Sequence, residues 1–251
     1  MKLLILTLAG YFLFSSAYAQ QSFDKIIVGD FDPDWVNIEK IDNEQIREQS
    51  KAIGRLIMPA KRNAACTAFL ISDDVIMTNH HCISSAEDAV GAKVLFNYLS
   101  EGEPQVFICD KFISNNEKLD YALLGCEGAP GSIYGKVKLS QKESSQSEPI
   151  YLIHQNCDYY QNKGCRRSKI VSFGEVTDIK GSRIYHNADT LPGSSGSPIF
   201  SLETHEVIGL HNSGSGEEDT NGRRNGRGKV NLGIKMSQIL SEIQTILPDL
   251  P

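Results

Sequence analysis

The chain has 251 residues, of which 25 are Lys or Arg and 31 are Asp or Glu, so its formal net charge is −6 at pH 7. This length suffices for one large all-β domain or two small ones. An acidic chain without a basic stripe is a poor candidate for a nucleic-acid partner, and we exclude that class of function.

Residues 1–19 have the layout of a secretory signal peptide. Lys2 precedes an apolar run from Leu3 to Phe14, and small residues then lead to Ala19. We therefore expect cleavage after Ala19 and a secreted or periplasmic protein. The apolar run is short for a membrane span of roughly 20 residues, and no later segment approaches that length without charges. The mature form should thus lack a membrane span, with an uncleaved N-terminal anchor as the open alternative.

Short apolar runs rich in β-branched residues recur along the chain, and long helical patterns are scarce. Examples are "CTAFLIS", "DVIMTN", "DYALLGC", "KIVSFGEV" and "EVIGLHN". Polar turn clusters such as "SNNEK", "QNKG" and "DIKGS" separate them. Many short strands with frequent turns predict an all-β fold, a sandwich or barrels, rather than alternating strands and helices.

The polar segment 140–148, "SQKESSQSE", divides the chain into two regions of similar strand content. It has no apolar periodicity and is therefore interpreted as a linker. The predicted regions are an N-terminal barrel region over residues 26–139 and a C-terminal barrel with a final helix over residues 149–251.

The last part of the chain predicts a helix docked on the β-structure. Its apolar residues share one face of a helical pattern: Ile239, Leu240, Ile243, Ile246 and Leu247. Pro248 ends the pattern because proline cannot continue a helix.

The stretch 213–228, "SGSGEEDTNGRRNGRG", is rich in glycine and charge and has no apolar anchor. Such a composition predicts a mobile surface loop. The basic run 223–229 within it is interpreted as solvated or as a proteolysis site rather than as a binding patch.

The chain has six cysteines, which are Cys66, Cys82, Cys109, Cys126, Cys157 and Cys165. An even number in an exported protein predicts three disulfides, because the compartment is oxidising. The spacing suggests that neighbours along the chain pair, the first with the second, the third with the fourth and the fifth with the sixth. Six cysteines permit fifteen pairings, so the other pairings stay open.

The segment "TNHHC" places two adjacent histidines, His80 and His81, directly before Cys82. Adjacent residues of a strand point to opposite faces, and the sequence offers no further metal-binding motif, so we predict no metal and no cofactor. The alternative interpretation is that one histidine is a general base, and that a disulfide through Cys82 restricts its position.

Two further segments complete a catalytic pattern. Asp120 opens the apolar run "YALLG", where a buried carboxylate needs a partner such as a histidine ring N–H. Ser195 lies in "LPGSSGSPIF", where the N–H groups of Gly193 and Ser195 can point at a developing oxyanion and Gly196 permits a sharp bend. A serine needs a base to become a nucleophile. Histidine, aspartate and serine in this order therefore predict a nucleophilic triad.

The segments "CTAFLISDDVIMTNHHC", "DYALL" and "GSSGSPIF" resemble the active-site blocks of the chymotrypsin-like serine proteases. The similarity covers most of the chain, from about Ile26 to Leu247. More narrowly, "TNHH", "DTLPGSSGSPIF" and "GLHN" are similar to the bacterial glutamyl endopeptidase branch. The resemblance implies two six-stranded antiparallel β-barrels in a trypsin-like double barrel, with the site in the cleft between them.

The resemblance also implies a role for each residue of the triad. The family's catalytic histidine directly precedes the cysteine, which is His81 here, while Asp120 orients it and Ser195 attacks the substrate. The oxyanion hole would consist of the N–H groups of Gly193 and Ser195. The implied function is a secreted serine endopeptidase that cleaves protein or peptide substrates through an acyl-enzyme, and we expect it to be a monomer.

Three residues bear on the substrate residue before the cleaved bond. Thr190 and His211 match the threonine and histidine that glutamyl endopeptidases use on a glutamate carboxylate, and both side chains can donate hydrogen bonds to it. Asp189 stands where trypsin-like members keep an acid for Arg or Lys, although "DT" also resembles several glutamyl endopeptidases. We favour an acidic preference and keep an Arg or Lys preference as the alternative. The segment "HNSG" departs from the family's "HTNG"-type segment, so the pocket's shape stays open.

The resemblance further predicts a short propeptide over residues 20–25. Cleavage after Lys25 would free Ile26, close to where mature chains of the resembling enzymes begin, and the new amino group would help to bind an acidic side chain. A protease-like binding protein without activity is the competing class of function. Such proteins usually lose a triad member or the glycine before the serine, and this chain keeps all of them.

Overall fold

The computed structural model describes residues 26–28, 34–160, 163–218, 224–248 and 250. The predicted signal peptide and the predicted propeptide with its cleavage site at Lys25 lie outside the described residues. None of the helices in the described part of the chain has the length and apolar character that a membrane crossing requires.

The described chain consists mainly of strands joined by short helices. The strands are β1 (Ile27–Val28), β2 (Trp35–Asn37), β3 (Ile53–Met58), β4 (Ala64–Leu70), β5 (Val75–Thr78), β6 (Lys93–Phe96), β7 (Gln105–Ile108), β8 (Lys111–Asn116), β9 (Tyr121–Gly125), β10 (Pro149–His154), β11 (Cys157–Asp158), β12 (Gly164–Cys165), β13 (Ile170–Lys180), β14 (Arg183–His186), β15 (Pro198–Ser201), β16 (Val207–Glu218) and β17 (Arg224–Lys235). The α-helices are α1 (Glu44–Lys51), α2 (Ala86–Ala89), α3 (Gly131–Tyr134) and α4 (Met236–Ile243), and short 3-10 helices cover Ile38–Lys40 and Pro59–Lys61.

The N-terminal sheet has the antiparallel order β7-β6-β3-β4-β5-β9-β8. The strands at its two ends, β7 and β8, are consecutive in the chain and are separated only by Cys109 and Asp110. The sheet therefore curls so that its two edge strands, β7 and β8, meet as one bent segment. Counted as one strand, this segment and the other five strands enclose an apolar interior. A disulfide between Cys109 and Cys126 joins this bend to the end of β9.

The C-terminal sheet closes on itself. Its order β17-β14-β13-β10-β15-β16 returns to its start because β16 pairs with β17 as well as with β15. The strands of this barrel alternate buried and partly exposed residues in places, as in β14, so one face lines the interior. The predicted all-β double barrel with a C-terminal helix is thus confirmed.

The first two strands do not belong to the first barrel, which corrects the assignment of residues 26–139 to that region. β1 pairs in parallel with β17, and β2 pairs antiparallel with β13, both in the C-terminal barrel. Burial explains this placement, because Ile26 and Ile27 are 1% and 0% exposed there. Residues 140–148 contain no helix or strand, and their role as a linker between domains stays a prediction.

The stretch 213–228 is largely a β-hairpin, so the prediction of a mobile loop is wrong for its described part. β16 and β17 pair through it, with Gly214 opposite Asn231 and Gly216 opposite Gly228. A Cβ atom on Gly228 would overlap the Ser215 carbonyl oxygen, so glycine permits a close approach of the two backbones. These strands are held together by main-chain hydrogen bonds and do not need an apolar face. Their composition therefore lacks the apolar pattern of a strand and is typical of a loop.

The C-terminal helix α4 packs against both barrels. Its buried side chains are Met236, Ile239, Leu240 and Ile243. Glu242 accepts hydrogen bonds from the Tyr121 hydroxyl at 2.8 Å and from the Asn116 side-chain amide at 2.7 Å, both in the N-terminal barrel. The predicted helix is therefore present, although α4 ends at Ile243, before the last two apolar residues of the pattern.

A buried lysine joins the two barrels. Lys169 is 1% exposed, and its Nζ donates hydrogen bonds to the carbonyl oxygens of Ser50 and, at 3.1 Å, Ile53. Loss of water around the ammonium group lowers the pKa of Lys169 to about 7. The folded protein thus binds fewer protons than the unfolded chain at pH values between this value and the ordinary 10.5.

We predict that Lys169 makes the free energy of unfolding rise with pH between about pH 7 and pH 9. Replacement of the lysine in Lys169→Met should reduce this slope by up to about 1.4 kcal/mol per pH unit. Urea denaturation across this range measures the slope, and Lys118→Met, at an exposed position, serves as the control. Equal slopes in the wild type and Lys169→Met would contradict the prediction.

Candidate active site

His81 and Asp120 are brought together by two paired strands of the N-terminal barrel. β5 ends at Thr78 and pairs antiparallel with β9, so the residues after β5 lie beside those before β9. His81 follows β5, and Asp120 directly precedes β9. Ser195 comes from the other barrel, in the turn that leads into β15.

The three side chains form a continuous line of hydrogen bonds across the cleft. His81 Nε2 lies 2.9 Å from Ser195 Oγ, and His81 Nδ1 lies 2.9 Å from Asp120 Oδ2. The backbone N–H of His81 also donates to Asp120 Oδ1 at 3.0 Å. Asp120 is 3% exposed and Ser195 is 5% exposed, so the line is shielded from water at both ends. This geometry can carry a proton from the serine hydroxyl to the imidazole.

Asp120 has a left-handed backbone conformation. Its φ is +44°, which costs energy for a residue with a Cβ atom and occurs mainly where the surroundings enforce it. The buried side chain of Asn79 donates a hydrogen bond to the Asp120 carbonyl oxygen at 2.9 Å. This contact and the start of β9 hold the carboxylate toward His81.

The six cysteines form three disulfides in the pairs that the spacing suggests. They are Cys66–Cys82, Cys109–Cys126 and Cys157–Cys165. The first of them joins β4 to the residue next to His81 and thereby limits the movement of the histidine backbone. The third pairs β11 with β12 beside the turn that carries Ser195, where the Cys157 N–H donates to the Pro192 carbonyl oxygen at 2.7 Å.

The turn before β15 presents two backbone donors. Gly193 and Gly196 have φ values of +98° and +82°, which glycine adopts readily. Among the described residues, the N–H groups of Gly193 and Ser195 donate to no protein acceptor. They are therefore available to a substrate oxygen beside Ser195, as an oxyanion hole requires.

Thr67 ties this turn to the N-terminal barrel, and sequence reasoning missed it. Its N–H donates to the Ser195 carbonyl oxygen at 2.8 Å, and its hydroxyl donates to the Gly193 carbonyl oxygen at 2.9 Å. Thr67 is fully buried in the apolar strand β4. A polar residue inside the run "CTAFL" was the available signal, because a buried hydroxyl needs partners.

The carboxylate of Asp189 is bound by backbone N–H groups of the chain itself. Its two oxygens accept hydrogen bonds from the N–H groups of Val28 at 2.8 Å and Asp34 at 3.0 Å. Burial raises the pKa of Asp189, and these two N–H groups offset part of that effect. The carboxylate thus anchors the N-terminal segment.

Thr190 lies beside the beginning of the described chain. Its hydroxyl donates to Asn231 Oδ1 at 2.8 Å and accepts from the N–H of Ile26 at 3.2 Å. The Asn231 side-chain amide donates to the Ile26 carbonyl oxygen at 2.8 Å. Sequence reasoning missed Asn231, a fully buried polar residue of β17.

His211 is fully buried in β16, and its Nδ1 lies 3.2 Å from Nε2 of His186. Desolvation lowers the pKa of His186 to about 3, so this second ring is neutral at ordinary pH. No sequence motif marks His186, because an isolated histidine in a strand has no diagnostic spacing. The two rings form an edge-to-face pair.

A family model described as the trypsin-like peptidase domain matches residues 66–210, which is more than half of the chain. The chain belongs to the trypsin-like peptidase family. The predicted family membership is thus confirmed, and the matched range includes His81, Asp120 and Ser195.

Two curated relatives align with the chain over 186 positions, and each alignment covers 66% of the chain. The uncharacterized protein y4fB of Sinorhizobium fredii (strain NBRC 101917 / NGR234) is 28% identical, and the secreted RxLR effector protein 73 of Plasmopara viticola is 25% identical. The aligned part covers 28% of the first protein and 45% of the second, so the chain spans less than half the length of either relative.

Solved structures share the fold. A Glu endopeptidase in complex with MPD has a TM-score of 0.62 at 18% identity, covering 88% of this chain and 98% of its own. The active form of the Rv3671c protease from M. tuberculosis has a TM-score of 0.61 at 13% identity, covering 91% of this chain and 92% of its own. These likenesses show a common double-barrel architecture.

We predict that Gly196→Ala disrupts the turn before β15. A Cβ atom there would overlap the Thr67 carbonyl oxygen and the Thr78 hydroxyl, and φ is +82°. The variant should lose roughly 3 kcal/mol of stability or more, well above the backbone cost alone. Thermal or urea denaturation measures the change. Gly181→Ala is the matched control, since Gly181 also has a positive φ but no atom within 4 Å of the added Cβ; equal losses in the two variants would contradict the overlap.

Proposed function

We propose that this protein is a serine endopeptidase in which Ser195 is the nucleophile, His81 the general base and Asp120 the residue that orients the imidazole. The observation that carries the proposal is the line of 2.9 Å contacts from Ser195 Oγ through both ring nitrogens of His81 to Asp120. Family membership supports it, because the matched family is one of peptidases.

In the proposed mechanism, His81 Nε2 takes the proton of Ser195 while Oγ attacks the carbonyl carbon of the scissile peptide bond. The oxyanion then accepts hydrogen bonds from the N–H groups of Gly193 and Ser195. His81 returns its proton to the leaving amine, which departs and leaves an acyl-enzyme. His81 then takes a proton from a water molecule, whose oxygen attacks the acyl carbon; the bond from that carbon to Ser195 Oγ breaks, and His81 returns the proton to Oγ as the carboxylic acid product leaves. The Asp120 carboxylate accepts the hydrogen bond from His81 Nδ1 and stabilises the imidazolium in both halves of the reaction.

A binding protein without catalytic activity is the competing function for this fold. The geometry favours the enzyme, because a protein released from catalysis has no need to keep the left-handed Asp120 or the open donors beside Ser195. A mechanism-based label separates the two functions.

We predict that a fluorophosphonate probe labels the mature protein at Ser195, since the base and the oxyanion donors activate this serine alone. Ser195→Ala should abolish labelling, and peptidase activity should fall by about 10⁶-fold, as expected when a triad serine is removed. Mass spectrometry of the labelled peptide identifies the residue. Ser132→Ala, at an exposed serine, should label as the wild type does. A folded, mature wild type that resists the probe would establish the binding protein instead.

We further propose that the enzyme prefers an acidic residue, above all Glu, before the cleaved bond. Thr190, five residues before Ser195, hydrogen-bonds with Asn231 and with the Ile26 N–H, so that three hydrogen-bonding groups lie together. Cleavage after Lys25 would turn the Ile26 N–H into an ammonium group, which adds a positive charge next to Thr190. A positive charge and a hydroxyl both favour a carboxylate ligand.

The alternative preference for Arg or Lys would require Asp189 to bind a cation. Both of its oxygens already accept backbone N–H groups of the N-terminal segment, and Asp189 is only 5% exposed, so little of the carboxylate is open to a substrate cation. This arrangement supports the acidic preference.

Export is also part of the proposal. Three disulfides among the described residues suit an oxidising compartment, which agrees with the signal peptide predicted from residues 1–19. One of the relatives carries the description of a secreted effector, which supports the same assignment.

We predict that protein starting at Ile26 cleaves peptides after Glu at least about 10-fold faster, as kcat/KM, than after Gln or Arg, because a charged ligand gains about 1.5–3 kcal/mol per hydrogen bond. Thr190→Val should reduce this ratio mainly through KM. A peptide library that varies the residue before the cut measures both effects. Protein that starts at Gln20 is the control and should show a weaker Glu preference. Equal preference from both starting points would refute the propeptide, and faster cleavage after Arg would refute the acidic pocket.

A further inference from the structure

A histidine outside the triad contacts the turn that carries Ser195. His154, the last residue of β10, is fully buried. Its Nδ1 lies 2.7 Å from the hydroxyl oxygen of Ser194, and its Nε2 lies 2.9 Å from that of Ser172. Both hydroxyl groups are themselves fully buried. The proposed mechanism uses none of these three residues. A buried polar ring is stable only when its nitrogens have hydrogen-bond partners, and both nitrogens of His154 have one.

The hydrogen-bond pattern assigns a role to each ring nitrogen. The Leu191 N–H donates to Ser194 Oγ at 3.3 Å, so the single hydroxyl proton of Ser194 can be donated to His154 Nδ1. Nδ1 is then an acceptor, and Nε2 carries the ring proton and donates to Ser172 Oγ. Desolvation, assisted by the charge of Arg166, lowers the pKa of His154 to about 3, which keeps the ring in this neutral form.

Ser194 lies between the two residues whose N–H groups are open to the cleft. The N–H of Ser195 belongs to the peptide unit that begins at Ser194, so the orientation of Ser194 sets the direction of that donor. Thr67 holds the carbonyl oxygens of Gly193 and Ser195 from the N-terminal barrel. His154, which belongs to the C-terminal barrel, binds the side chain of Ser194. The turn is therefore held by contacts from both barrels.

We propose that His154 is a positioning residue that acts through Ser194 to keep the N–H groups of Gly193 and Ser195 directed at the oxyanion. The inference rests on the proposed function, because an oxyanion forms only when Ser195 attacks a carbonyl group. His154 touches no reacting atom, and its contribution is therefore indirect. The contact between His154 and Ser194 thus stabilises the direction of the two N–H donors, which no residue of the triad does.

Two substitutions at His154 separate this role from mere packing. His154→Leu fills a similar volume but offers Ser194 no acceptor. His154→Asn keeps an acceptor, because its Oδ1 can take the place of the histidine Nδ1. We expect His154→Leu to lower kcat about 100-fold, the scale of a lost oxyanion donor, with KM within about threefold of the wild type. His154→Asn should recover most of kcat.

A transition-state analogue gives a second measurement. A peptide boronic acid forms a tetrahedral adduct with Ser195 and places an oxygen between the two N–H donors, so its affinity reports the donor geometry. His154→Leu should weaken this inhibitor by a factor similar to the loss in kcat. His205→Asn, which alters a histidine of the same barrel outside the turn, should leave both quantities within about threefold of the wild type.

The outcomes distinguish this inference from the proposed function. Should His154→Leu keep kcat and boronate affinity, or change only KM or the melting temperature, the inference is overturned while wild-type activity still supports the peptidase. If His154→Leu fails to fold, Ser194→Ala removes the same contact with little change in volume and is expected to lower kcat; an unchanged kcat there overturns the inference. A wild type that neither hydrolyses peptides nor reacts with fluorophosphonate overturns the proposed function and this inference together.

Discussion

The contact between Thr67 and the turn of Ser195 is the constraint on which the candidate site depends. The two barrels come from different halves of the chain, and their active-site residues meet only if the barrels are fixed to within a fraction of an ångström. Thr67 supplies two hydrogen bonds to the carbonyl oxygens of Gly193 and Ser195, one residue from the disulfide that restrains His81. One residue therefore connects the position of the proposed nucleophile to that of its base.

The N-terminal segment is fixed to the second barrel by several contacts. It joins the second barrel through β1 and β2, and Asp189 binds its backbone at Val28 and Asp34. The same segment delivers Ile26 to Thr190. Asp189 and Thr190, which sequence patterns suggest as parts of a substrate pocket, thus both bind the backbone at the beginning of the described chain.

The fold class and the three central residues could be predicted because each is encoded locally. Short β-branched runs indicate strands, and His81, Asp120 and Ser195 each lie in a segment whose composition is unusual for its surroundings. Thr67, His154 and Asn231 could not be predicted in the same way, since their partners are far away in the sequence and only the closed barrels define them. The hairpin of β16 and β17 was missed for a related reason: glycine-rich strands are stabilised by backbone pairing, which leaves no apolar pattern.

The pairing of β1 with β17 and the docking of α4 on both barrels have a consequence for the order of folding. Ile27, at the start of the described chain, lies opposite Arg227, and the helix that follows β17 supplies Glu242 to Tyr121 of the first barrel. Neither half of the described chain can therefore complete its contacts before β17 and α4 have been synthesised. Both barrels therefore depend on the same late segment of the chain, and their final contacts form together rather than one barrel after the other.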